Sequence, residues 1–126
     1  MSLNLFAYGT LQHPRILSFV LGRIPPSFPA TLKDHARYAI RNEDYPGLIP
    51  EAGACTDGTV FLGIEPGEWE KLDRYESDLY QRLPVMPVTA EGKTLQAEAY
   101  ILPTEHQHLL SQELWELNQY QPNPQP

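Results

Sequence analysis

Apolar positions along this chain fall into short runs whose period changes, and Gly, Pro and Asn-Asp clusters cut each run off early. Leu3 to Tyr8 is mostly apolar, ends at Gly9, and reads as a buried strand. Pro14 to Leu21, with Pro at an early position and Gly22 just past the end, reads as a short helix. Ala30 to Ile40 is a weaker strand, the stretch Asn42-Glu43-Asp44-Tyr45-Pro46-Gly47 a turn, and Thr59 to Ile64 a buried strand. Pro66 opens a second helix with Trp69 and Leu72 on one stripe, and Ser77-Asp78 breaks the pattern after Glu76. Leu83 to Thr89 and Thr94 to Leu102 flank Ala90-Glu91-Gly92-Lys93 as a hairpin. Leu95, Ala97, Ala99 and Ile101 alternate on one of its faces, which turns Tyr100 to the other. Thr104-Glu105-His106-Gln107 fits a capping box, and Leu109, Leu110, Leu114 and Leu117 then form the stripe of a terminal helix.

Strands outnumber helices, and no regular strand-helix alternation runs through the chain. The pattern predicts a mixed α+β domain with a small curved sheet or barrel. Thirteen prolines strengthen that reading, because they favour short strands and loops over a helical bundle. The length of 126 residues suits one domain, expected over 1–120, with the Pro-rich 121–126 as a disordered tail.

A net charge of -7, with nine Lys and Arg spread thinly, argues against nucleic acid or an anionic membrane as partner. Cys55 is the only cysteine, so an internal disulfide is excluded. Too few residues precede the first strand for a signal peptide, and no apolar run nears the roughly 20 residues that span a bilayer. A soluble, cytoplasmic protein is expected. No face shows an apolar excess beyond a core, which suits a monomer or weak homodimer.

Two segments carry candidate chemistry. Tyr8-Gly9-Thr10-Leu11 follows the first strand, and a strand that breaks at Gly turns its next backbone N–H groups away from the ladder, where they can grip an anion. Glu76 ends Leu72-Asp73-Arg74-Tyr75-Glu76, and helical spacing puts it within about 60 degrees of Trp69 and Leu72. If the helix reaches Glu76, its carboxyl faces inward with a raised pKa, fit to pass protons near neutral pH. If the helix ends by Tyr75, Glu76 lies at the surface or pairs with Arg74 or Arg82. Asp73 is a second acid, slightly off the stripe, that caps or salt-bridges locally in the plainer reading. Tyr80 and Arg82 are two apart, on one face of an extended segment. Arg82 either binds a substrate carboxylate or holds Asp73 or Asp78. His106 and His108 face different ways on a helix, and with His13 and His35 isolated no metal-ligand spacing appears.

The motifs Tyr8-Gly9-Thr10-Leu11, Tyr45-Pro46-Gly47, Leu72-Asp73-x-Tyr75-Glu76, Tyr80-x-Arg82 and Ala99-Tyr100, in this order and spacing, resemble the gamma-glutamylcyclotransferase-like superfamily, also described as the AIG2-like family. The resemblance covers nearly the whole of Leu3 to Leu102. It implies a small, mixed, mainly antiparallel β-barrel with flanking short helices, and a substrate cavity beside the Tyr-Gly-Thr-Leu loop. It further implies that Glu76 is the general acid/base of an intramolecular ring closure. In that reaction the α-amine of a gamma-glutamyl small molecule attacks its own side-chain amide, releasing 5-oxoproline and an amine or amino acid without a cofactor. Gly9, Thr10 and Leu11 would then offer N–H groups to the carboxylate or oxyanion, while Tyr8, Tyr45, Tyr80, Arg82 and Tyr100 would bind substrate. Gln12-His13-Pro14 stands where many relatives carry a basic residue and Gly, and the Trp of the glutathione-degrading branch is missing. Two other readings use the same pocket: a binding module for a small molecule or peptide end, and an amide hydrolase in which Glu76 activates water.

Overall fold

A computed structural model describes residues 3–115. The first strand, β1 (Leu3–Ala7), leads through a 3₁₀ turn (Thr10–Gln12) to helix α1 (Pro14–Leu21). Two long strands follow, β2 (Ser27–Ile40) and β3 (Pro46–Ile64), and then helix α2 (Pro66–Glu76) with a 3₁₀ turn (Ser77–Leu79). The chain ends in β4 (Gln81–Val85), β5 (Val88–Thr89), β6 (Ala97–Ile101), a 3₁₀ segment (Thr104–Leu109) and β7 (Leu110–Leu114). Among these, no helix is long and apolar enough to cross a membrane.

The seven strands form one sheet in the order β4-β6-β1-β3-β2-β5, with β7 also on β2. The pairing is antiparallel except between β1 and β6. The α+β class and mainly antiparallel sheet are as expected, but the sheet is not closed into a barrel. Its two ends show why. β4 contains Pro84, which has no N–H for a second neighbour, and β5 is only two residues long.

Strand alternation in β1 splits the core in two. Leu5 and Ala7 join Phe61, Ile64, Trp69, Leu72 and Tyr100, against α1 and α2. Phe6 and Tyr8 join Leu32, Leu48, Val60, Ala97, Ala99 and Ile101 on the opposite face. The expected alternation of Ala97, Ala99 and Ile101 against Tyr100 therefore holds. β1 is buried on both faces, and the loop at its end is anchored from both sides.

Three expectations need correction. The turn near Asn42 is shorter than expected, and β3 begins at Pro46 and pairs with β2 as far as Ala39↔Pro46. Prolines were expected to cut the chain into short elements, yet Pro46 and Pro50 lie within β3, where a two-stranded ribbon with an open outer side tolerates them; the register shift at Lys33/His35 and the left-handed Asp34 absorb the irregularity. The expected hairpin forms around Ala90–Lys93 but divides at Met86-Pro87, so that β4 pairs with β6 while β5 crosses to β2. The terminal helix is absent from the described residues: Thr104–Leu109 is a 3₁₀ segment, and Leu110–Leu114 adds to β2 with Ile40↔Leu110 and Tyr38↔Leu114. A short helix is marginal alone, and here pairing with an open strand edge wins. Leu117 and the tail 121–126 lie outside the described residues.

Candidate functional site

Both helices are built as their sequences dictate. α1 is capped by His13, whose ring accepts from the Arg15 N–H at 3.3 Å, and ends at left-handed Gly22. α2 starts in a capping box between Glu65 and Glu68, and a 2.7 Å ion pair from Arg23 to Glu68 ties that end down. The Arg23 guanidinium holds the Glu68 carboxyl below the usual range. α2 runs to Glu76, with Trp69 and Leu72 buried on the same face. The helix therefore does reach Glu76, and the inward of the two readings is the one observed.

A cavity of about 290 Å³ opens where β1 runs out and α2 ends. Tyr8, Gly9, Thr10 and Leu11 form one wall and Glu76 another; Tyr45, Tyr80 and Tyr100 complete it. Sequence reasoning missed Tyr75, Ser77 and Leu79 as lining residues. The adjacency of Tyr75 and Ser77 to Glu76 was the available signal.

Glu76 is the only acid or base other than tyrosine among the lining residues. It has no hydrogen bond or ion pair among the described residues, and burial pushes its carboxyl from 4.5 to about 8. Its residue is half-buried because one side faces the hollow. The tyrosines follow the same logic. Tyr8 is held well above its usual range, chiefly by burial, and donates its hydroxyl to the Tyr100 carbonyl. Tyr80 is raised by burial and then by Glu76, and its hydroxyl donates to the Pro46 carbonyl at 2.6 Å. Tyr45 is raised to about 12, first by its hydrogen bond to Glu43.

The loop itself is tightly seated. A Cβ on Gly9 would lie 3.0 Å from two ring carbons of Pro46, so glycine lets the two segments meet. In the 3₁₀ turn the Gln12 and His13 N–H groups bond to the carbonyls of Gly9 and Thr10 at 3.1 and 3.0 Å. The N–H groups of Gly9, Thr10 and Leu11 have no acceptor among the described residues.

Of the two readings of Arg82 the one observed is that it holds Asp73; it is not among the residues lining this cavity, so the expectation that it binds substrate beside Tyr80 is corrected. It pairs with Asp73 at 3.0 Å and Glu98 at 2.9 Å and lies 4.6 Å from the centroid of the Trp69 ring. Tyr80 precedes β4, whereas Arg82 lies within it opposite Tyr100, so the two do not share one regular strand face. Asp73 also accepts the Tyr100 hydroxyl at 2.7 Å, so of the motif's two acids Asp73 is bonded and Glu76 is the one without a partner among the described residues.

Ser77 follows Glu76 with φ 63 and ψ -170, a region nearly exclusive to glycine. Such backbone costs about 1–3 kcal/mol, against about 0.4–1 kcal/mol that a glycine loses through greater unfolded-state freedom. Ser77→Gly is accordingly expected to raise the thermal midpoint, as followed by circular dichroism. An unchanged or lower midpoint would mean that the turn carries no strain.

Comparison with known proteins agrees with this architecture. The family model "Gamma-glutamyl cyclotransferase, AIG2-like" matches residues 5–117. AIG2-like protein C of Arabidopsis thaliana is 32% identical over 99 residues, 78% of this chain and 58% of that protein. AIG2-like protein D of the same plant is 32% identical over 100 residues, 78% and 66% respectively. The chain thus spans between half and two thirds of the length of these and similar curated relatives. A solution structure from Arabidopsis thaliana superposes with a TM-score of 0.78 at 26% identity, over 87% of this chain and 75% of that one. A mouse AIG2-like protein gives 0.65 at 19% identity over 98% and 97%, a likeness of fold alone. With the family model covering nearly every residue described, the chain belongs to the gamma-glutamyl cyclotransferase, AIG2-like family.

Proposed function

We propose that this protein cyclises a gamma-glutamyl amine or amide, releasing 5-oxoproline and the amine. The observation that supports the reading is Glu76: a buried carboxyl with no bonding partner among the described residues, in a cavity lined also by Gly9, Thr10 and Leu11, whose N–H groups have no acceptor among those residues. A buried polar group without a partner is costly, and such costs gather at functional sites.

The chemistry follows from these groups. Burial brings Glu76 to about 8, far closer to the range of an α-ammonium than an ordinary glutamate lies, which eases proton exchange between them. Ionised Glu76 takes a proton from the ammonium, and the freed amine attacks the side-chain carbonyl carbon to form a five-membered ring. The carbonyl oxygen gains negative charge, which the Gly9, Thr10 and Leu11 N–H groups meet. Glu76 returns that proton to the leaving nitrogen as the old carbon–nitrogen bond breaks and the carbonyl re-forms, and the ring nitrogen's second proton passes through the re-ionised carboxylate to the released amine, which departs as ammonium. Nucleophile and electrophile share one molecule, so the cavity has mainly to fold them together. Its volume sits at the small end of ligand sites, which begin at roughly 300 Å³, and suits a glutamyl-sized group between tyrosine walls.

Incubating the protein with a panel of gamma-glutamyl amines and amino acids, with mass detection of products, tests this. Equal amounts of 5-oxoproline and free amine are expected from at least one compound. Free glutamate instead would mark a hydrolase, and binding without either product a recognition module; both results contradict the proposal.

A further inference from the structure

Arg37 lies on β2, half-buried, and is not among the residues lining the cavity. Its Nη1 donates to the Tyr8 carbonyl at 2.7 Å and to the Asp57 carbonyl at 2.9 Å, and its guanidinium lies 5.5 Å from the centroid of the Trp115 ring. The Tyr8 carbonyl and the Gly9 N–H belong to one peptide unit. No peptide bond among the described residues is cis, so the two groups point in opposite directions. A cation is therefore bonded to one end of a dipole whose other end is the N–H of the cavity-lining Gly9, which has no acceptor among the described residues.

We propose that Arg37 is a positioning residue for the site: by bonding to the Tyr8 carbonyl it fixes the Tyr8–Gly9 peptide and polarises the Gly9 N–H toward an anionic oxygen of the substrate. The inference rests on the ring-closure reading above. A bond from a charged donor is about twice as strong as a neutral one, and hydrogen bonds in a chain strengthen one another by roughly 10–30%. Arginine suits the task because it stays charged at all relevant pH and offers several donors in a fixed plane. One guanidinium can then bond both Tyr8 and Asp57, where a lysine would hold the loop less firmly.

The test compares wild type, Arg37→Met and Arg37→Lys as full chains. The Gly9 amide proton is followed by NMR, along with thermal midpoint and kcat/KM for 5-oxoproline release. In Arg37→Met the Gly9 amide proton is expected to move upfield, and kcat/KM to fall about tenfold, short of the roughly 10² to 10³ lost when a whole oxyanion donor is removed. Arg37→Lys is expected to lie between Met and wild type in both readouts, and it supplies the answer if the Met variant does not fold. Folded variants with a lower midpoint but an unmoved Gly9 resonance and unchanged kcat/KM would overturn the proposal, leaving Arg37 as a structural tie. The resonance is read without substrate, so a wild-type protein that releases no 5-oxoproline would sink the ring-closure reading separately.

Discussion

Glu76→Gln is expected to lower turnover of a gamma-glutamyl substrate by about 10² to 10⁴, the usual worth of a general acid/base, while making the protein more stable. The two effects have one cause. Folding takes the carboxyl from 4.5 to about 8 by burial. Between those values the folded chain holds a proton that the unfolded chain has released, so this group's contribution is fully favourable below pH 4.5. It declines as pH rises and is lost above about 8. At about 1.4 kcal/mol per unit, reduced because one side of the residue is open to the cavity, a cost of about 1–3 kcal/mol is expected above pH 8. Glutamine keeps nearly the same shape without ionising. Urea unfolding of both proteins should therefore agree below pH 4.5, with the variant increasingly the more stable towards pH 8.5. A difference that does not change with pH would contradict this account.

Trp69→Ala is expected to cost about 3–5 kcal/mol, a large share of the roughly 0.05–0.15 kcal/mol per residue that holds a domain together. Trp69 is 5% exposed and fixes α2 to the sheet. Its ring lies 6.5 Å from that of Tyr100, and the Arg82 guanidinium stacks on it. Arg82 in turn holds Asp73, which accepts the Tyr100 hydroxyl, so truncation loosens the helix that carries Glu76 as well as opening a cavity. The indole N–H is buried without a hydrogen-bond partner among the described residues. Trp69→Phe, which leaves no polar group stranded, is therefore expected to cost less than half as much. Parallel urea titrations at neutral pH check this; equal losses from Phe and Ala would mean that the ring's packing contributes little.

The parts of the fold written in local pattern were legible in the sequence. Pro14 and Gly22 mark both ends of α1, and Trp69, Leu72 and Glu76 share the face of α2 that the helical period predicts. Alternation placed Tyr100 opposite Ala99 correctly. What failed depends on partners distant in sequence. Nothing local tells that Leu110–Leu114 finds an open edge on β2, or that the Pro- and Gly-rich stretch from Pro46 to Gly58 is held extended by β2. The meeting of the Tyr8–Leu11 loop with Glu76 was anticipated from motif order and the cost of an inward acid. For Arg82 the reading that it holds Asp73 was right and the one that set it in the cleft was not, because two-residue spacing assumes a regular strand, whereas the segment becomes one only after Tyr80. Arg37 left no local signal at all, since its part is played through a carbonyl 29 residues away.

The proposed reaction depends on a Glu76 carboxyl that lines the cavity without a bonding partner among the described residues and exchanges protons near neutral pH. Direct titration of that carboxyl by carbon-13 NMR in the folded protein tests it without any substrate. A midpoint near 8 is predicted; a midpoint near the ordinary glutamate value of about 4.3 would place the group in water and contradict the account.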